Sequence, residues 1–271
     1  LTDYLVRFTD HFRPDAAGLS KPNAYLLALA AKLAYAGAPE ARAITTLWGF
    51  DKNWFHPFDV RDTQGFMTEN DATLLIAFRG TTSIRDWITD ARILQLDGPT
   101  GKVHKGFLDA WRDVEAAVRG KIAGTGPRRI WICGHSLGGA LAKVAAASLH
   151  FGNPPVAVQG VVTFGQPRVG NARFAAAFDA AFGGRSFRFI NDRDIVPRVP
   201  PGLEYTHDGG RLFINSQGEI TPEAQSDGPL ERLHAAALAL PGKGENIADH
   251  SMDEYVRLIR QAWAADLSPL L

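Results

Sequence analysis

Arg129-Ile-Trp-Ile-Cys-Gly-His-Ser-Leu-Gly-Gly139 is the stretch that decides how this chain is read. Arg129 to Cys133 is a short, almost wholly apolar run, the pattern of a strand covered on both faces. Small and apolar residues from Leu137 to Leu149 follow, and they read as a helix. Between the two lies Gly134-His-Ser136-Leu-Gly138. A strand that becomes a helix within so few residues must bend sharply. The bend lifts the Ser136 hydroxyl above the sheet, while Gly134 and Gly138 leave room where a Cβ would clash. It also puts Leu137 at a helix start, where its N–H lacks an intrahelical acceptor and can face developing negative charge. A plain glycine turn with Ser136 as N-cap is the competing reading; the partners available elsewhere in the chain favour a nucleophile.

The same alternation runs on both sides of this turn. Thr73 to Arg79, Val158 to Phe164 and Ser186 to Ile190 are further short apolar runs that predict core strands. Phe107 to Ile122 and Asn171 to Phe182 predict helices between them, and Lys21 to Ala36 predicts an amphipathic helix opened by Pro22 and closed by Gly37. Arg211 to Ile214 reads as a peripheral strand. Thr45 to Asn70 reads as irregular or short-strand structure, and Thr221 to Gly244 as a long, partly helical connection. Ser251, with Glu254 three residues on, predicts a capping box before a last helix. Together these imply an α/β fold with a largely parallel central sheet flanked by helices, and no linker-like stretch divides the 271 residues into more than one domain.

Composition narrows the function. Twenty-nine basic and 29 acidic side chains balance, so no overall charge points to nucleic acid. One cysteine, Cys133, excludes an internal disulfide and the cysteine-rich zinc frameworks, and its place in an apolar run reads as a buried strand residue. No HExxH or close Cys/His set suggests a metal. The apolar runs are too short to cross a bilayer. The chain opens at Leu1 without Met or an apolar leader, so no targeting signal can be read and the oligomeric state is open.

A serine hydroxyl needs a neutral histidine to take its proton, and that histidine needs an acid to hold its tautomer. His250, in Asp249-His-Ser251 just before a capped helix, comes last among eight histidines and fits the Ser, acid, His order of such folds. His207 is a rival; His104 reads as a structural hydrogen-bonding residue, and His135 as a packing residue that points away from the nucleophile. Asn191-Asp-Arg-Asp194, past a core strand, offers Asp192 and Asp194 as the acid. Asp194 abuts the apolar Ile195-Val196-Pro197, yet local chemistry leaves the two open.

Thr81, at the end of the first apolar strand, stands where a second oxyanion donor belongs. Ile84, Trp87 and Ile88 follow at i, i+3, i+4 spacing and predict a short amphipathic helix. It either packs onto the core or covers the site as a lid whose stripe meets an apolar interface.

Six ordered segments now stand together: Phe78-Arg-Gly-Thr-Thr-Ser-Ile-Arg-Asp-Trp87, Val103-His-Lys-Gly-Phe107, Gly134 to Gly139, Thr163-Phe-Gly-Gln-Pro-Arg-Val-Gly170, Asn191 to Pro197 and Asp249 to Ser251. In these the chain resembles the fungal-type class 3 lipases from about Lys21 to Ile259. The resemblance implies an α/β-hydrolase fold and a triad of Ser136, Asp194 and His250, which decides between the two aspartates. It implies Thr81 and Leu137 as oxyanion residues and the segment around Trp87 as a lid. It further implies a secreted triacylglycerol lipase that needs no cofactor and acts on lipid or other esters, with an oil–water interface as the expected setting. A feruloyl or other soluble-ester esterase, and a lipid-binding protein that has lost catalysis, are the alternatives. Fungal members carry disulfides and this chain cannot, which keeps a cytoplasmic location open.

Overall fold

The computed structural model describes residues 2–81, 83–84, 94–192, 194–200, 204–223 and 247–270. Its central feature is an eight-stranded sheet built from β1 (Phe55–Val60), β2 (Thr63–Glu69), β3 (Thr73–Phe78), β6 (Arg129–His135), β7 (Val158–Phe164), β8 (Ser186–Asn191), β9 (Gly210–Ile214) and β10 (Ile220–Glu223), in the order β1-β2-β3-β6-β7-β8-β9-β10. The five strands from β3 to β9 run parallel, and antiparallel hairpin partners close both edges. A small ribbon of β4 (Gln95–Asp97) and β5 (Lys102–His104) lies apart. The longer helices among the described residues are α1 (Lys21–Leu33), α2 (Ala38–Leu47), α3 (Lys105–Ala123), α4 (Leu137–Phe151), α5 (Ala172–Phe182) and α6 (Met252–Ala262).

Continuous apolar strands follow from burial on both faces. In β3, Leu75 and Ala77 belong to a core shared with α1, α2 and α6, while Leu74, Ile76 and Phe78 face a second core formed with α3, α4 and α5. β6 repeats the division, with Trp131 and Cys133 on one face and Ile130 and Ile132 on the other. Side chains alternate across a strand, so a sheet sandwiched between helix layers needs an apolar residue at every position. Cys133 is fully buried, and burial pushes its thiol far above the ordinary cysteine range. No helix among the described residues is long and apolar enough to cross a membrane.

Three expectations need correction and one is narrowed. Gly37 does not close α1, which ends at Leu33; it is the N-cap of α2, a helix the sequence reading did not resolve. Of the two readings offered for Thr45 to Asn70, short strands hold beyond α2, because β1 and β2 pair in continuous register from Phe55↔Thr68 to Val60↔Thr63. Pro57 and the crowded aromatics hide the alternation, and Pro57 is tolerated because β1 is an edge strand. β9 is not peripheral: it pairs in parallel with β8 and is itself covered by β10. The capping box forms on one side only. Ser251 Oγ accepts the Asp253 N–H at 3.2 Å, but the Glu254 carboxylate turns to Arg257, at 2.6 and 2.7 Å. Beyond Glu223, the expected connection to Gly244 lies outside the described residues.

Parallel strands bring their carboxyl ends to one edge, the place where open α/β sheets hold their sites. Three of them converge here: β3 leads into Gly80-Thr81, β6 into Ser136, and β8 into the turn that carries Asp194.

Candidate active site

Ser136 joins β6 to α4 at φ 58° and ψ −131°. A non-glycine residue there carries strain of about 1–3 kcal/mol, which persists only where the surroundings over-determine the turn. Its N–H donates to the Phe164 carbonyl at 2.8 Å, and its carbonyl accepts from Gly139 at 2.9 Å. Its side chain caps nothing: the Oγ is buried and has no hydrogen-bond partner among the described residues. That removes the plain N-cap reading. The glycine spacing has the expected cause, since a Cβ on Gly134 would run into the Gly138 carbonyl and one on Gly138 into the Phe78 carbonyl.

Asp194 and His250 meet although 56 residues separate them. His250 Nδ1 lies 2.8 Å from Asp194 Oδ2. A carboxylate oxygen only accepts, so Nδ1 carries the proton and Nε2 keeps its lone pair. Nε2, like Ser136 Oγ, is buried with no partner among the described residues. Asp194 is held from three directions: Oδ2 also accepts the Tyr255 hydroxyl at 2.7 Å, Oδ1 accepts the Val196 N–H at 2.9 Å, and its own N–H reaches the Asn191 carbonyl. Burial and the neighbouring Asp194 charge push the Tyr255 hydroxyl well above the tyrosine range, so it stays a donor. Asp192, the rival acid, has no side-chain contact with His250 and serves through its backbone, accepting Arg198 at 3.1 Å.

Gly165 makes this pairing sterically possible. At φ 57° it adopts a conformation that glycine alone takes freely, and a Cβ there would come within 2.7 Å of Asp194 Oδ2 and 2.9 Å of the His250 ring. Asn191 supports the arrangement from β8. Its Nδ2 donates to the Asp249 carbonyl at 3.0 Å and its N–H to Tyr255 Oη at 3.0 Å, which ties the end of β8 to the segment that carries His250.

The other histidines fall into place. His104 caps α3, with Nδ1 accepting the Gly106 N–H at 3.1 Å, as expected of a structural residue. His207 is buried with Nε2 2.7 Å from the Pro197 carbonyl, so it steadies the turn after Asp194. His135 departs from expectation. It does not merely pack: its ring faces that of His250 at 4.5 Å between centroids, Nε2 lies 2.6 Å from the His250 carbonyl, and Nδ1 lies 2.7 Å from Tyr35 Oη. Tyr35, Asn191, Gly165 and Tyr255 escaped the sequence reading. Gly165 and Asn191 stood inside quoted motifs, whereas Tyr35 and Tyr255 carried no local signal.

Phe78 is in register with Gly134, which sets the end of β3 beside the Ser136 turn. Thr81 Oγ1 accepts the Ser83 N–H at 3.1 Å. Leu137 is the first residue of α4, and Ile84 packs with Ile195, Val196 and Leu137 in a small apolar cluster. Trp87 and Ile88 lie outside the described residues. Among the described residues no group of three or more His, Cys, Asp or Glu side chains is placed to share a metal ion.

Comparison with known proteins gives a consistent answer. The class 3 lipase family matches residues 75–204. A lipase of Rhizomucor miehei is 33% identical over 174 residues, covering 60% of this chain and 48% of its own, and a secreted mono- and diacylglycerol lipase of Penicillium cyclopium is 29% identical, covering 68% and 61%. The chain thus spans roughly half the length of these relatives. The solved structure of the Rhizomucor miehei triacylglyceride lipase superposes with a TM-score of 0.62 at 27% identity, covering 83% of this chain and 90% of that one. Another solved structure, of a triacylglycerol lipase described as having a serine protease triad at its catalytic centre, gives 0.61 at 26% identity, covering 83% and 90%. The parallel sheet, the Ser136 turn and these likenesses agree: the chain has the α/β-hydrolase fold of the fungal lipases, and residues 75–204 are similar to the class 3 lipase family.

Proposed function

We propose that this chain is a carboxylic ester hydrolase of the triacylglycerol lipase kind, with Ser136 as nucleophile, His250 as general base and Asp194 as its orienting acid. The observation that carries the reading is a strained Ser136 whose buried hydroxyl makes no cap bond and has no partner among the described residues, at the same sheet edge as a buried His250–Asp194 pair whose Nε2 has none among them either. Burying two such groups unpaired costs about 1–3 kcal/mol each, a cost that a reaction between them explains.

In the proposed mechanism His250 Nε2 takes the Ser136 proton as Oγ attacks the ester carbonyl. The tetrahedral oxyanion is held by the N–H groups of Thr81 and Leu137. His250 then gives the proton to the leaving alcohol, and water activated by the same imidazole releases the acid from the acyl-enzyme. Ile84, Trp87 and Ile88 supply the apolar stripe of a lid, and Ile84 already anchors on Ile195, Val196 and Leu137, around the acid and the oxyanion residue. We read the chain as one domain, since helices from both ends of the sequence share one core against the sheet. The relatives named as secreted mono- and diacylglycerol lipases support a secreted protein acting on lipid esters, and the oil–water interface is the setting proposed for it.

Ser136→Ala tests the nucleophile: turnover of a p-nitrophenyl ester is expected to fall at least about 10⁴-fold with folding intact. Retained turnover contradicts the assignment. A panel of emulsified long-chain triglycerides against soluble aryl esters tests the substrate class, with higher rates expected above the solubility limit. A preference for soluble esters with no rise at an interface makes the protein an esterase instead.

A further inference from the structure

Gly80, beside the proposed oxyanion donor, and His250, the proposed base, are linked by one chain of hydrogen bonds. The Gly80 N–H donates to Tyr35 Oη at 3.2 Å; Tyr35 Oη lies 2.7 Å from His135 Nδ1; His135 Nε2 lies 2.6 Å from the His250 carbonyl. Its direction is fixed at both ends. A backbone N–H only donates and a carbonyl only accepts, so His135 Nε2 carries the ring proton. Nδ1 of the neutral ring then accepts the Tyr35 hydroxyl, whose oxygen accepts Gly80. Reversing any link strands a donor or an acceptor in the interior.

The link also fixes the charge of His135. A protonated ring would turn Nδ1 into a donor, leaving the Tyr35 proton without an acceptor. The groups that face His135 agree: the His250 ring at 4.5 Å, Tyr255 of α6 at 6.0 Å and Tyr35, over whose ring the Arg79 guanidinium sits at 5.4 Å. Asp194 is engaged by His250 and Tyr255, and no hydrogen bond joins it to His135. Burial and the charge of His250 hold His135 well below the ordinary histidine range. A neutral neighbour matters here, because His250 becomes an imidazolium facing this ring in each catalytic cycle.

We infer that Tyr35 and His135 are positioning residues that set the spacing between the oxyanion strand and the His250 imidazole. The inference rests on the proposed triad. Neither residue hydrogen-bonds to Ser136 Oγ or His250 Nε2. His135 is the residue before the nucleophile, so the chain of bonds ties strand end, elbow and base segment into one unit, and a shift of either end passes to the other. A displacement approaching 1 Å in such a constellation is worth up to about 100-fold in rate.

The test uses the whole chain with p-nitrophenyl butyrate. Tyr35→Phe removes one hydroxyl and keeps the ring; His135→Phe removes both ring nitrogens and keeps the stack. Each is expected to lower kcat about 10- to 100-fold with KM within about twofold of the parent. His135→Gln, which offers an amide N–H toward the His250 carbonyl, is expected to recover part of the loss. In ¹⁵N-labelled parent protein, the His135 ring is expected to be neutral and protonated at Nε2. Parental kcat in both phenylalanine variants, whatever their melting temperatures, overturns the inference, as does a His135 protonated at Nδ1. Ser136→Ala and labelling of the parent by a fluorophosphonate run alongside. An active Ser136→Ala defeats the triad and this inference together; an inactive one with fully active Tyr35→Phe and His135→Phe defeats the inference alone.

Discussion

The two ends of the parallel strands bury polar groups in opposite ways. At the amino end, beside the first residues of β8 and β9, Lys143 of α4 is wholly buried with Nζ 2.6 Å from Asp208 Oδ1, 2.6 Å from Ser186 Oγ and 4.3 Å above the Phe178 ring. Arg188 Nε donates to the Asp208 carbonyl at 2.5 Å, and Asp179 accepts the Gly209 N–H at 2.6 Å. Charge meets charge at Asp208 Oδ1, while Asp208 Oδ2 has no hydrogen-bond partner among the described residues. At the carboxyl end the polar groups are just as buried, and Asp194 is saturated, yet Ser136 Oγ and His250 Nε2 have no partner among the described residues. One cluster pairs a buried cation with a buried carboxylate; the other holds the two atoms that we propose react, at a strained turn. An unpartnered buried atom is no mark of chemistry by itself, since Tyr25 Oη and Asp208 Oδ2 are also unpartnered among the described residues. The carboxyl end differs in joining two such atoms to a strained turn and a histidine held by an acid.

The comparison breaks if the amino-end cluster proves catalytic. Lys143→Met keeps the aliphatic stem and leaves Asp208 buried without its cation. The expected outcome is a loss of about 3–5 kcal/mol of stability in denaturant unfolding, with ester turnover per folded molecule within twofold of the parent. Lost turnover at unchanged stability would reverse the roles of the two ends. Gly165→Ala sharpens the comparison from the other side. The added methyl meets Asp194 Oδ2 and the His250 ring at a left-handed backbone position. Turnover is expected to fall about 100-fold, or about 2.7 kcal/mol, while stability falls by only about 1–3 kcal/mol. Parental turnover would show that the His250–Asp194 geometry is not limiting.

How far each end was legible in the sequence follows from the range of its contacts. β3, β6, β7 and β8 could be read because burial on both faces writes a continuous apolar run, and Ser136 because the strand, turn and helix are contiguous. The β1–β2 hairpin was legible only as one of two alternatives: β1 is an edge strand interrupted by Pro57, and β2 takes its register from pairing with β3. His250 and Asp194 could be nominated by order and type, but local chemistry left Asp192 open and only the family resemblance chose Asp194; the bonds from Tyr255, Val196 and His250 that support the choice are not written in the local sequence. Tyr35 and His135 show the limit most clearly. They are 100 residues apart, and His135 reaches His250 across 115 more, so no spacing rule finds them. Gly165 looked like any motif glycine until the acid and the base were placed against it.

The claim on which the account depends is that Ser136 and His250 act as one unit. The most direct measurement is fluorophosphonate labelling followed by mass spectrometry of the digested protein, in the parent and in His250→Ala. A single adduct on Ser136 in the parent, forming at least about 10³-fold more slowly in the variant, is the predicted result. An adduct on another serine, or an unchanged labelling rate in His250→Ala, would contradict it.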